Sequence, residues 1–336
     1  MRVAVLGATG LVGREMVRIL EDRNFPVTEL RLLATERSAG EFIDFHDDPK
    51  LVEATSAEAF EDIDLVLSSA GGGPSKAWLP VAVKAGATCI DNSSAYRMEE
   101  GVPLVIPEIN AEHARNHEGI IANPNCSTIQ MVMALQPLHD LAGLKRVVVS
   151  TYQSVSGKGK SAIDELQDET SQLLNGIPYE RRVFDHQIAF NCIPDIDVPV
   201  EDDYTREEWK MMVETRKIMD LPDLPITATC VRVPVFFGHA EAVFVEFERP
   251  IDIDAAREAL NSFPGVTVVD DLANHVYPHQ TATAERDEVY VGRIRPDRSV
   301  EHGLALWVVS DNIRKGAALN TIQIAEWLRD QKLLGS

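Results

Sequence analysis

The chain has 336 residues, 45% of them hydrophobic, and a formal net charge of −21. That length allows two domains with cores of their own, and the composition is that of a globular protein. The acidic excess is spread along the chain, which excludes nucleic acid and anionic membranes as partners and requires any anion site to be a local cluster of cations.

No apolar run approaches the ~18 residues that a membrane span needs. The start, Met1-Arg2-Val3-Ala4-Val5-Leu6, briefly imitates a signal peptide, but Arg14 and Glu15 interrupt it. The expectation is a cytoplasmic, unprocessed chain. Residues 2–6 are instead predicted as a buried strand. Gly7-Ala8-Thr9-Gly10-Leu11-Val12-Gly13 follows, then an amphipathic helix carrying Met16, Val17, Ile19 and Leu20. Strand, glycine turn and helix form a dinucleotide-binding fingerprint. Glycine gives the turn backbone room, and the helix N-terminus faces a pyrophosphate. The spacing is G-x-x-G-x-x-G rather than G-x-G-x-x-G, so a plain tight turn is the competing explanation.

A second strand over residues 30–34 ends in Thr35-Glu36-Arg37-Ser38-Ala39-Gly40. Arg37 and Ser38 offer donors to a ribose 2′-phosphate, which favours NADP. Glu36 suits the 2′-hydroxyl of NAD, and a solvated loop is the third option. A third buried strand over residues 63–68 precedes Gly71-Gly72-Gly73-Pro74 and a helix over residues 75–85. Those glycines either admit the nicotinamide side of a cofactor or act as a flexible connector. A strand over residues 88–91 opens into Asn92-Ser93-Ser94-Ala95-Tyr96-Arg97, where Arg97 is either a phosphate fork or a surface arginine. This alternation predicts a doubly wound, parallel α/β sheet.

Asn123-Pro124-Asn125-Cys126-Ser127 joins an apolar run to a helix predicted over residues 127–141. A cysteine at a helix start is stabilised as thiolate by free N–H groups and the helix dipole, which makes a nucleophile. The competing explanations are an inert buried cysteine and a cap supplied by Asn125. Cys89, Cys126, Cys192 and Cys230 form no C-x-x-C pair, so neither zinc nor a disulfide framework is expected. His113 and His117, like His275 and His279, have i,i+4 spacing without an H-E-x-x-H context, and no metal is predicted.

Beyond this point the pattern changes. A long strand is predicted over residues 145–155, followed by Ser156-Gly157-Lys158-Gly159-Lys160, which lacks the spacing of a phosphate-binding P-loop. A helix over residues 161–174 stops at Asn175-Gly176, and residues 176–204 read as long loops. Thr205 and Glu208 make a capping box for a helix to about Met219. Glu207 and Lys210 share a face of that helix, as a surface ion pair or as site residues. A strand over residues 226–235 carries Arg232, a turn carries Gly238 and His239, and a return strand covers residues 242–248. A helix is predicted over residues 251–260, an antiparallel pair over 289–294 and 304–309, and a final helix to about 329. The second half therefore reads as α+β with a mixed or antiparallel sheet.

Taken together, the chain resembles the aspartate-semialdehyde dehydrogenase family over essentially its whole length. The matching stretches include GATGLVG, ERSAG, DNSSAYR, NPNCSTIQ, TYQSVSGKGK, EEWKMMVETRKI, RVPVFFGHAEAV and SDNIRKGAALN. The resemblance implies NADPH-dependent reduction of aspartyl phosphate in the biosynthesis of lysine, methionine, threonine and diaminopimelate. Cys126 would be the nucleophile, His239 the general acid/base and Gln153 the residue that orients the acyl group. Arg232 would hold the substrate carboxylate and Glu207 its amino group. Arg97 and Lys210 would bind the leaving phosphate, and Asn125 would join the substrate contacts. Gly7, Thr9, Gly10, Leu11, Val12, Arg37, Ser38, Ser156, Gly157 and Asn312 would contact NADP. The resemblance also implies a nucleotide domain of residues 1–126 with 313–336, a catalytic domain of residues 127–312, and a homodimer or dimer of dimers. Its nearest rival is an N-acetyl-glutamyl-phosphate reductase-like enzyme; a non-catalytic paralogue is the rival of another class.

Overall fold

The computed structural model describes residues 1–334. The chain forms two compact units, Met1–Asn125 with the chain from Ala317, and Cys126–Gly316.

The first unit contains β1 (Arg2–Leu6), α1 (Leu11–Asp22), β2 (Glu29–Ala34), β3 (Phe42–Phe45), β4 (Asp48–Ala54), β5 (Leu65–Ser68), α2 (Gly72–Lys84), β6 (Thr88–Asp91), α3 (Pro107–Asn110) and β7 (Ile120–Ala122). Its seven strands lie in the order β3-β4-β2-β1-β5-β6-β7. Neighbours are parallel except in the β3–β4 hairpin. The sequence does not announce that hairpin, because His46 and Asp47 supply its positive-φ turn (52° and 59°) where glycine is the usual signal. A second departure concerns the Gly71–Gly73 stretch. Gly72 and Gly73 are the first turn of α2 rather than a connector. Met16, Ile19 and Leu20 of α1 pack into one core with Val5, Leu32 and Leu67 of the sheet. The last helix, Leu319–Asp330, buries Ile322, Ile324 and Leu328 in the same core.

The second unit contains α4 (Cys126–Ala142), β8 (Leu144–Gln153), α5 (Lys160–Leu174), α6 (Arg206–Ile218), β9 (Ile226–Arg232), β10 (His239–Phe247), α7 (Ile253–Ser262), β11 (Val266–Val268), α8 (Gln280–Thr283), β12 (Val289–Pro296) and β13 (Gly303–Ser310). Its six-stranded sheet has the order β11-β12-β13-β10-β8-β9 and is mixed: β8–β9 and β11–β12 are parallel, the rest antiparallel. The Thr205 capping box is present, with Glu208 N–H donating to Thr205 Oγ1 at 3.3 Å and Thr205 N–H donating to Glu208 Oε2 at 2.8 Å. Glu208 also accepts from Cys230 N at 2.9 Å, so one carboxylate starts α6 and ties it to β9. In the loops after α5, the buried carboxylates of Glu165 and Glu169 collect the N–H groups of Arg182, Val183, Phe184, Ile188 and Ala189. Those charge-assisted bonds hold a segment that has no ladder of its own.

Two strand limits correct the sequence expectation. β9 stops at Arg232, before Pro234, which has no N–H to continue a ladder. His239 is not in the turn but opens β10.

Candidate active site

Strand register assembles the site of the second unit. Arg232 pairs with Gln153, Gln153 with His239, and His239 with Ser310. Those four residues form a single row across β9, β8, β10 and β13, and it is an end row. Three of the strands finish on it and β10 starts on it. Residues far apart in sequence are therefore brought side by side by backbone pairing alone. The α4 helix packs on β8, β10 and β13 and carries Cys126 at its first position.

Cys126 is half-buried, Cys192 is exposed, and Cys89 and Cys230 are buried. Burial pushes the thiols of Cys89 and Cys230 up from their ordinary range, which makes both inert. Gly316 allows the chain to pass close to Cys126, since a Cβ at 316 would lie 2.8 Å from the Cys126 Cβ. Arg232 is buried; desolvation lowers its pKa, while Glu207 and then Cys126 pull it back up. Cys126 and Arg232 therefore lie within electrostatic reach of each other. The Arg232 Nη1 donates to the Ser154 carbonyl at 2.6 Å.

Gln153 donates through Nε2 to Ser127 Oγ and, at 2.9 Å, to Glu207 Oε1. Its Oε1 is buried without a partner. Glu207 Oε2 accepts from Lys210 Nζ at 3.0 Å, and Asp197 Oδ2 accepts from the same ammonium at 2.7 Å. The Glu207–Lys210 pair foreseen from helical spacing is present, but it is not a solvated surface pair, since the two side chains are 7% and 12% exposed. Burial pulls the Lys210 ammonium down, yet Glu207 and Asp197 outweigh it and leave its pKa raised.

His239 is fully buried. Its Nδ1 lies 3.1 Å from both Ser154 N and Ser154 Oγ, and its Nε2 has no partner. Burial, followed by Arg232, lowers its pKa to about 3, with Glu207 and a hydrogen bond to the Gly238 backbone opposing. Gly157 sits over this edge of the ring: a Cβ there would be 3.4 Å from His239 Nε2 and 2.9 Å from Arg232 Nη1. Ser156 and Asn312 are knitted into the same corner. Asn312 Oδ1 accepts from Gly238 N at 3.0 Å and from Ser154 Oγ and Ser156 Oγ at 3.2 Å each, and Asn312 Nδ2 donates to Ser156 Oγ at 3.0 Å.

The remaining predicted residues belong to the first unit. Arg97 is buried and donates to the carbonyls of Asn123, at 2.9 Å, and Asn92, at 3.0 Å. Asn125 is also buried. Gly7 takes φ +85°, and Gly13 comes so close to it that a Cβ would stand 2.2 Å from the Gly7 carbonyl oxygen. Gly10 caps α1 without a side-chain bond, and the first turn holds no acidic residue. That leaves Thr9, Gly10, Leu11 and Val12 around an open helix N-terminus suited to an anion. Glu36 and Arg37 are exposed on the turn after β2, with Ser38 half-buried. Among the described residues, no group of three His, Cys, Asp or Glu side chains is placed to hold a metal ion.

Sequence reasoning passed over Ser154, Ser310, Gln130 and Glu241. Ser310 Oγ donates to Gln130 Oε1 at 2.7 Å. Glu241 lies two residues beyond His239 on the same face of β10 and is fully buried. Neither of its oxygens, nor the nearby Gln130 Nε2, makes a hydrogen bond of normal geometry. Burial raises its pKa well above the carboxylate range, with the Gln130 amide opposing. The available signal was a charged residue at a core-facing position of the run Ala240-Glu241-Ala242-Val243.

Comparison with known proteins gives the family. Residues 2–117 match the family model described as semialdehyde dehydrogenase, NAD binding domain, and residues 135–315 match semialdehyde dehydrogenase, dimerisation domain. An aspartate-semialdehyde dehydrogenase of Aquifex aeolicus is 54% identical, over 99% of each chain. Aspartate semialdehyde dehydrogenase II of Vibrio cholerae, solved in complex with ASA, superposes with a TM-score of 0.93 at 48% identity over 98% of each chain. The Candida albicans enzyme, solved with NADP, gives 0.77 at 26% identity over 99% of this chain and all of that one. The chain belongs to the aspartate-semialdehyde dehydrogenase family.

Proposed function

We propose that the chain reduces L-aspartyl-4-phosphate to L-aspartate 4-semialdehyde and phosphate with NADPH, a step in making the amino acids derived from aspartate. The observation that carries this reading is the row Arg232–Gln153–His239 with Cys126 at the start of the helix packed on it. The Cys126 thiolate attacks the acyl carbon, an S–C bond forms, and the phosphate leaves with the electrons of the C–O bond. Arg232 takes the substrate carboxylate, and Glu207 takes the amino group. Lys210 and Arg97 receive the phosphate, with Asn125 beside the nucleophile. Gln153 and His239 address the acyl group.

The open N-terminus of α1 and its glycine turn fit a pyrophosphate, so Gly7, Thr9, Gly10, Leu11 and Val12 hold the dinucleotide. Arg37 and Ser38 favour the 2′-phosphate of NADP over the NAD that Glu36 would accept. Ser156, Gly157 and Asn312 complete the cofactor contacts. When bound, NADPH supplies the hydride that turns the Cys126 thioester into the aldehyde. The matched dimerisation domain supports a homodimer. Among the described residues no helix is long and apolar enough to cross a membrane, and we assign the protein to the cytoplasm.

The test runs the reaction backwards. Protein, aspartate β-semialdehyde, phosphate and NADP are mixed, and NADPH absorbance is followed, with Cys126→Ser in parallel. The expected result is a phosphate-dependent rise that falls at least about a thousandfold in the variant. No phosphate dependence, or equal rates in the two proteins, would refute the proposal.

A further inference from the structure

Two carboxylates hold the Lys210 ammonium, Glu207 Oε2 at 3.0 Å and Asp197 Oδ2 at 2.7 Å, and its third N–H has no partner among the described residues. Glu207 is built in. It stands three residues before Lys210 on α6, its side chain is 7% exposed, and its Oε1 accepts from Gln153 Nε2. Asp197 is held more loosely. It lies on the loop that precedes α6, its side chain is 27% exposed, and its Oδ1 accepts from the next N–H of its own chain, Val198 N, at 2.9 Å. The main chain on both sides of it is tied down. Ile193 and Arg232 exchange backbone bonds, and Arg206 N donates to the Val198 carbonyl at 2.8 Å. Release of Lys210 therefore needs only a turn of the Asp197 side chain toward water.

Charge makes that turn matter. Two carboxylates around one ammonium leave the cluster with one negative charge. A phosphate that took the third N–H would stand beside the Asp197 carboxylate on the same nitrogen, and in a half-buried place that repulsion is only weakly screened. The sign reverses once Asp197 turns away. Glu207 and Lys210 then cancel, and the substrate amino group assigned above to Glu207 leaves one positive charge to meet the anion.

We propose that Asp197 is a displaceable counterion that holds the place of phosphate on Lys210: it keeps the ammonium aimed when no phosphate is bound and gives way when phosphate arrives. The step is an exchange of anions on one nitrogen. The Nζ–Oδ2 contact breaks and an Nζ–O contact to phosphate forms, with no covalent bond made and no proton moved. In the direction of acyl-phosphate reduction the exchange runs the other way, and the returning carboxylate helps to expel the phosphate that has left the acyl group. Asp197 is thus a positioning residue that acts through Lys210 and sets how tightly the anion is kept. A lysine suits such an exchange, because its ammonium is a point charge that accepts either anion without a fixed fork geometry. The role rests on the assignment of Lys210 to phosphate in the reaction proposed above.

Asp197→Asn tests the exchange. Asparagine keeps the shape, tolerates the φ of +73° at this position and still offers an oxygen to Val198 N, so the loop keeps its course. In the reverse reaction the KM for phosphate should fall about 5- to 30-fold, because one repelling charge is gone and Lys210 is free to turn to the anion. The KM for semialdehyde should move by less than about threefold. An unchanged or raised phosphate KM in the folded variant would make Asp197 a fixed clamp and overturn the exchange. So would a rise of both KM values together with a lower Tm, which is the mark of a structural residue. A phosphorus-31 NMR titration of inorganic phosphate against each protein, with NADP present and no turnover, gives a second reading. Tighter binding by the variant is expected, and equal or weaker binding would sink the proposal. If the wild type shows no phosphate-dependent turnover, the reaction is refuted and the titration still decides the exchange.

Discussion

The glycine turn of the first unit and the end row of the second use close backbone approach in opposite ways. In the first, main chain meets main chain: a Cβ at Gly13 would lie 2.2 Å from the Gly7 carbonyl oxygen, and one at Gly7 would lie 2.8 Å from Ala70 N. In the second, main chain meets functional side chains, with Gly157 against Arg232 and His239 and Gly316 against Cys126. The first arrangement makes a turn that is part of the fold, because strand, turn and helix cannot separate without losing the β1–α1 core. The second arrangement shapes a site on a sheet that is already complete. Substitutions at these glycines should therefore divide into losses of stability and losses of activity.

The largest effect is expected for Gly13→Ala. A backbone carbonyl held in the turn cannot step aside as the end of a side chain can. The loss should exceed about 3 kcal/mol, seen as a fall in Tm or as insoluble protein. A Tm within about 2 °C of wild type would break the comparison. Next comes Gly157→Ala. Here the methyl meets the Arg232 guanidinium, which can swing away at the cost of its bond to Ser154. The KM for semialdehyde should rise about 10- to 100-fold while Tm stays within about 3 °C. A thermal loss as large as that of Gly13→Ala would show that the end row, too, depends on its glycine contact for stability.

The same contrast explains what was legible in the sequence. The first unit declares itself locally: the Gly7–Gly13 turn, the apolar strands and the stripe of Met16, Ile19 and Leu20 all lie within short windows. Its β3–β4 hairpin escaped notice because His46-Asp47 carries no glycine signal. The second unit keeps its logic in register. That Arg232, Gln153, His239 and Ser310 share a row depends on pairing between strands far apart in sequence, which no window contains. Cys126, His239 and Arg232 were found through whole motifs, not through periodicity. Ser154 was missed because a serine at a strand end looks like any turn residue, and its task is done by its backbone.

Two buried carboxylates, one from each unit, give the finest contrast. Asp91 of the first unit is fully buried and accepts from Ser75 Oγ at 2.7 Å, Ser93 Oγ at 2.7 Å and Ser93 N at 3.1 Å. Glu241 of the second unit is as deeply buried without a hydrogen bond of normal geometry. Burial lifts the Glu241 carboxyl well above its ordinary range, while in the unfolded chain it ionises near ~4.3. Between those two values folding takes up a proton, so this residue's stabilising share is complete below the unfolded pKa and is lost as pH rises through the folded one. Glu241→Gln keeps the shape and removes the titration. The variant should match wild type below about pH 4 and exceed it by about 1–2 kcal/mol at about pH 8, read as Tm at the two pH values. A variant less stable than wild type at the higher pH would mean that Glu241 is ionised and held by Gln130 as firmly as Asp91 is held by its serines.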